Sequence, residues 1–194
     1  MTVELILIKS ILLLLSLPAH EASHALIAYK LGDDTAKRYG RLTLNPLPHL
    51  DILGTIMLIY TGFGWGKPVP VNPSNFKNPA LGNFFVALSG PASNLLLSLI
   101  GVLGLRIFSQ SEFAVTFFSL FVVLNTFLMV FNLLPIPPLD GSKVWHLVLN
   151  DDAYYSLERM GPIILIAVLF FSYSYGGIFT LIERISYFLI NLIV

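Results

Sequence analysis

The stretch LILIKSILLLLSLPAHEASHALIAYKL, from Leu5 to Leu31, decides the architecture, and its charged side chains are confined to Lys9, Glu21 and Lys30. As a helix it would reach ~40 Å, longer than the ~30 Å hydrocarbon core of a bilayer, so it spans with one end projecting or tilted. Pro18 stands in its interior and is expected to kink it just before His20. Its early lysine and apolar run loosely resemble a signal peptide. The apolar pattern continues through Leu31 without a clear cleavage site, however, and reads as a retained span.

Working outward, 56% of the 194 residues are hydrophobic and only 11% charged. Globular domains run at roughly 45–50% and about 25%, and one soluble core of this size cannot hide so much apolar surface. The expected fold class is an all-α polytopic membrane protein with about four to five transmembrane helices. A short re-entrant or β-hairpin segment is expected at the cytoplasmic face. Further spans read at 81–107, interrupted by Ser89-Gly-Pro-Ala-Ser-Asn94, and at 113–134, which is uncharged but holds Asn125, Thr126 and Asn132. The apolar tract 161–182 is a last span, followed by a surface helix or a second crossing broken at Gly176-Gly177. Residues 1–194 then form one integral-membrane domain, with a core over about 5–145 and the C-terminal span or spans within 161–194.

Between the first two spans, residues 39–44 alternate weakly, as a short strand would, and are expected to pair with Val69 and Val71. Residues 52–60 are apolar but too short to cross, and read as re-entrant or lying on the membrane surface. Lys30, Lys37, Arg38, Arg41, Lys67 and Lys77 gather between spans one and two, while residues 109–112 hold no lysine or arginine. The positive-inside rule therefore puts the polar loops in the cytoplasm. A net charge of zero gives no pull toward nucleic acid, and the lack of cysteine leaves His, Asp and Glu as metal ligands.

His20-Glu-Ala-Ser-His24 matches H-E-x-x-H. Positions i and i+4 share a helix face, so two imidazoles can hold one zinc ion, with Glu21 beside it to move the proton of a metal-activated water. A catalytic zinc takes three protein ligands and keeps one position open. Asp140, Asp51, His49, His146 and Glu158 are the candidates for the third. Asp140 is favoured because it follows a proline-rich turn at the end of an uncharged span. His49 and Asp51 read as a structured loop or a second metal site, and His146 as interfacial. The extended soluble-protease pattern fails at Ile27 and Lys30, where glycine and histidine are required.

The motifs His20-Glu-Ala-Ser-His24, Ser89-Gly-Pro-Ala-Ser-Asn94 and Asn132-Leu-Leu-Pro-Ile-Pro-Pro-Leu-Asp-Gly141 together resemble the site-2 protease family of intramembrane zinc metalloproteases, in the family's order. The likeness covers about residues 5–145 and implies one zinc per chain, held by His20, His24 and Asp140, with Glu21 as catalytic base. It also implies that Asn132 assists at the site and that Asn94 supports it. No stretch between spans suits a PDZ domain, nor the tail a CBS domain, so a minimal core is expected. Expected partners are a single-span membrane protein substrate, the lipid bilayer and a regulatory membrane partner, with no nucleic acid. The location expected is a bacterial or archaeal cell membrane, with the site toward the cytoplasm. Alternative readings are a catalytically silent scaffold or chaperone of the same fold, and a metal transporter.

Overall fold

The structure, a computed structural model, describes residues 3–54, 66–175 and 177–191. Its helices are α1 (Val3–Lys30), α2 (Thr35–Arg38), α3 (Pro79–Ile107), α4 (Glu112–Asn132), α5 (Asp151–Tyr175) and α6 (Gly177–Asn191), with 3-10 turns at Leu47–His49, Pro73–Asn75 and Asp140–Leu147. Four helices are long and apolar enough to cross a membrane: α1 over Ser10–Lys30, α3, α4, and α5 over Asp151–Ser172. The all-α polytopic expectation holds.

Three of the four spans, α3, α4 and α5, begin on a local polar signal. The Asn78 side chain accepts from the Leu81 N–H, with Pro79 in the first turn of α3. Ser111 accepts from the Ala114 N–H to start α4, and Asn150 from the Ala153 N–H to start α5. Asp151 and Asp152 then lie in the first turn of α5, where the helix dipole favours negative charge. Pro18 does not interrupt α1, which runs through it without a break.

Helices α1, α3 and α4 form the packed unit. Ile8, Leu12 and Phe121 make one buried cluster between α1 and α4, with Leu97 of α3 packed against it, while Val102, Leu105 and Val122 make another between α3 and α4. By contrast, α5 shows Ile163, Ile166, Phe170 and Phe171 outward, as a lipid-facing span does. The expected break at Gly176-Gly177 includes residue 176, which lies outside the described residues, and α6 packs back on α4 and α3.

The polar segments between α1 and α3 depart from expectation. Among the described residues there is no strand. An isolated antiparallel bridge joins Leu50 to Gly66. Residues 39–44 turn and bend instead, because Gly40 takes a φ of +68° and the Arg41 N–H folds back to the Ala36 carbonyl. Val69 is therefore not paired with Leu42 in a hairpin. Most of the expected re-entrant run, 52–60, lies outside the described residues.

What ties these segments down is Asp33, which is fully buried. Its Oδ1 accepts from the Thr35 N–H, the Thr35 hydroxyl and Asn75 Nδ2, and its Oδ2 from the Asn72 N–H. Burial works to raise the Asp33 carboxyl's pKa, but these donors outweigh it and the net shift is downward. A lowered native pKa gives stability that is present at neutral pH and lost as pH falls below the usual carboxylate range. Asp33→Asn is therefore expected to cost about 1–3 kcal/mol at pH 7, with the gap to wild type narrowing in acid. Thermal unfolding in detergent across pH checks this, and a gap independent of pH would contradict it.

Candidate metal centre

His20 and His24 lie one turn apart on α1, both buried, with ring centroids 4.7 Å apart and planes at 88°. Their Nε2 atoms are 3.0 Å apart. Asp140 Oδ2 stands 3.1 Å from His20 Nε2 and 3.3 Å from His24 Nε2. Zinc held tetrahedrally at about 2.0–2.1 Å separates its ligand atoms by roughly 3.3 Å. The triangle has the dimensions of a zinc face, and among the described residues it is the cluster of acidic and imidazole groups that converges so closely.

The second ring nitrogens fix the tautomers. His24 Nδ1 lies 2.7 Å from the Val86 carbonyl oxygen, which can only accept, so Nδ1 carries the proton and donates it. His20 Nδ1 donates likewise to Asn94 Oδ1 at 2.6 Å. In the neutral rings both Nε2 atoms then point lone pairs at each other and at a carboxylate oxygen. Asp140 Oδ2 is buried and in hydrogen-bond geometry with no group. Three acceptors facing one another need a cation, and a divalent metal supplies one while leaving the imidazoles neutral.

A folded turn delivers Asp140. Its prolines include a cis bond at Pro137-Pro138, Trp145 Nε1 donates to the Pro135 carbonyl at 2.8 Å, and the Ser142 hydroxyl donates to the Leu139 carbonyl at 2.6 Å. Gly141 is required next to Asp140, since a Cβ there would run into the Leu133 carbonyl. Helix α5 braces the turn: Lys143 Nζ pairs with Glu158 Oε1 at 2.6 Å, and the Tyr154 hydroxyl donates to the same oxygen at 2.8 Å.

Glu21 is half-buried beside the triangle, and its Oε2 accepts from the Val69 N–H at 3.1 Å. Pro68 and Pro70 flank Val69 and have no N–H, so this is the one backbone donor that Pro68-Val-Pro70 offers. Arg41, buried, donates through Nη2 to the Lys67 carbonyl and feels the charge of Glu21. Burial lowers its guanidinium pKa, and Glu21 works in the opposite direction.

The other expected residues fall outside the triangle. Asn132 donates through Nδ2 to the Leu128 carbonyl one turn back, at 2.9 Å. His49 Nε2 donates to the Thr43 carbonyl, and Asp51 accepts from the Gly54 N–H. His146 stacks on Tyr154 with ring centroids 4.3 Å apart. With Glu158 on Lys143, Asp140 is the candidate third ligand that reaches the histidines. Sequence reading assigned Gly90 no part of its own at the metal centre, yet a Cβ there would sit 2.5 Å from His24 Nε2 and 2.6 Å from His20 Cε1. It also missed Arg41 at Glu21. The signal for Gly90 was its place in the Ser-Gly-Pro motif, whose target is visible only in three dimensions.

The model of peptidase family M50 matches residues 8–174 of this chain. The chain belongs to peptidase family M50. This agrees with the site-2 protease resemblance of its motifs. It is 47% identical over 143 residues to the Bacillus subtilis (strain 168) protein named "Putative zinc metalloprotease YwhC", an alignment covering 69% of this chain and 65% of the relative. It is 35% identical over 166 residues to "Putative zinc metalloprotease Rip2" of Mycolicibacterium smegmatis, covering 80% of this chain and 64% of the relative. The chain thus spans just under two thirds of the length of both. No solved structure matches. Membership of M50 and the four apolar helices make this an integral membrane protein.

Gly90→Ala must push both imidazoles off their positions. It is expected to lower zinc occupancy of the purified protein at least tenfold while leaving helical circular dichroism intact. Full occupancy in that variant would show that the rings can move without cost.

Proposed function

We propose that this M50 member is an intramembrane zinc metalloprotease whose ligands are His20, His24 and Asp140 and whose catalytic base is Glu21. The observation that carries this reading is the triangle of acceptor atoms with Glu21 one residue away on the same helix. His24 and His20 stand six and ten residues before the end of α1, roughly 9–15 Å along the helix, which favours a site within the bilayer. Zinc bound there supplies Lewis acidity toward a scissile carbonyl and toward water.

The protein's own groups do the remaining work. Glu21 takes the proton of the attacking water and passes it to the leaving amine. The Val69 N–H holds one Glu21 oxygen, leaving the other to face the water. Asn132 spends one N–H on Leu128 and keeps a second to donate to the oxygen that gains negative charge, while Asn94 fixes the ring of His20. The substrate we infer is a single-span membrane protein or a membrane-inserted stub. The polar loops with Lys30, Lys37, Arg38 and Lys77 favour a cytoplasmic-facing site in a cell membrane.

Neither rival reading gains support. A silent scaffold has no need of three converging acceptors. A transport path needs polar groups exposed along its length, whereas Ser16, Asn94, Ser98, Asn125 and Thr126, deeper in α1, α3 and α4, are all 0% exposed and bonded to one another.

Glu21→Gln separates these readings. Reconstituted with tagged single-span substrates, it is expected to lose cleavage by roughly 10²–10⁴-fold or more while keeping stoichiometric zinc. Cleavage at the wild-type rate would sink the assignment.

A further inference from the structure

Beneath the metal centre, three helices share a chain of hydrogen bonds whose polarity is fixed at one backbone carbonyl. Asn125 of α4 donates through Nδ2 to the Phe121 carbonyl at 2.9 Å and to the Ser16 hydroxyl of α1 at 3.0 Å. Since the Phe121 carbonyl can only accept, the Asn125 amide cannot be turned over, and its Oδ1 must face α3. There it accepts from Asn94 Nδ2 at 3.0 Å. Asn94 is thereby oriented with Oδ1 toward His20, where it accepts from Nδ1 at 2.6 Å. Each step follows from the one before.

We propose that Asn125 is a positioning residue for the metal: through Asn94 it sets the tautomer of His20 that leaves Nε2 free to coordinate. This rests on the zinc reading of the site. An amide is nearly symmetric in shape, so packing alone would let Asn94 sit either way round. Turned over, it would present N–H groups to His20 Nδ1, the ring would carry its proton on Nε2 instead, and the ligand would be lost. Asn94, Asn125 and Ser16 are all 0% exposed, so no water can stand in for a missing partner. The direct partners of ligating histidines are worth 10–100-fold in metal affinity. Asn125 acts one bond further out and is expected at the lower end of that range.

A neighbouring pair offers the control. Ser98 and Thr126 join the same two helices, their hydroxyls 3.2 Å apart and both side chains 0% exposed, and the Ser98 hydroxyl bonds to Thr126 and the Val122 carbonyl, outside the chain that leads to His20. They share the packing role and not the orienting one.

The experiment measures zinc affinity by chelator competition, and the visible spectrum of the cobalt-substituted protein, for purified full chain in detergent. Asn125→Leu is expected to weaken zinc about tenfold and alter the cobalt spectrum. Asn125→Asp keeps an acceptor toward Asn94 whether protonated or ionised, and is expected to bind zinc within about twofold of wild type. Ser98→Ala and Thr126→Val are expected to leave zinc affinity and spectrum unchanged. If Asn125→Leu does not fold, Asn125→Ser serves instead, since its hydroxyl bonds back to Phe121 and is too short to reach Asn94.

Wild-type zinc affinity in Asn125→Leu or Asn125→Ser overturns the proposal. So does an equal loss in the Ser98 and Thr126 variants, which would make the effect one of packing. A wild type that binds no stoichiometric zinc overturns the metal reading itself and is read before any variant.

Discussion

Two imidazole lone pairs and a carboxylate oxygen, all within 3.3 Å of one another, are the constraint around which this structure is arranged. Each repels the others, and hydrocarbon gives none of the relief that water would. The arrangement persists only if a cation fills the space and if everything behind the three atoms holds them in place. The surrounding features answer that second demand. Val86 and Asn94 fix the rings, Gly90 gives them room, and the turn at Asp140 is pinned by Trp145, Ser142 and the Lys143–Glu158 pair.

The site has two sides of different character. Deeper in the helices Ser16, Asn94, Ser98, Asn125 and Thr126 are each paired with another of the set and fully buried, and it is there that orientation is set. Toward the loops, three charged side chains each grip the backbone of one extended segment: Arg41 at the Lys67 carbonyl, Glu21 at the Val69 N–H and Asp33 at the Asn72 N–H. That segment, with two prolines, has few donors of its own and little freedom to move away. Rigid packing below and charged ties above leave Glu21 between them, beside the triangle of His20, His24 and Asp140.

Much of this was legible in the sequence, for physical reasons that can be named. The spans were, because hydrocarbon demands long uninterrupted apolar runs, and the observed helices α3 and α4 begin and end within two residues of those read. His20 and His24 were, because helix geometry alone brings i and i+4 together. Asp140 was reachable because a proline-rich turn narrows where a carboxylate can go. What failed was of another kind. Residues 39–44 carried a strand's alternation, yet Gly40 took a left-handed conformation and the segment became a turn. Alternation in a short polar stretch has no buried face to enforce it. Asn125 stood out only as a polar residue in an uncharged span, because nothing local marks the direction of an amide. Its role depends on a carbonyl one turn back and an asparagine on another helix.

The same reasoning explains why the third acceptor of the triangle comes from a turn and not from a helix. A carboxylate on α4 would project at a fixed angle from a rod already packed against α1 and α3 through Phe121, Val122 and Asn125. Moving it by an ångström would mean moving the helix. The turn after α4 can be adjusted residue by residue, and its cost in flexibility is offset by the prolines, by the lack of a Cβ at Gly141 and by the ties to α5. A helix delivers two acceptors at a spacing it cannot alter, and the braced turn supplies the one that must be fitted to them. The C-terminal span, largely exposed along its length, contributes to the metal centre mainly through that brace.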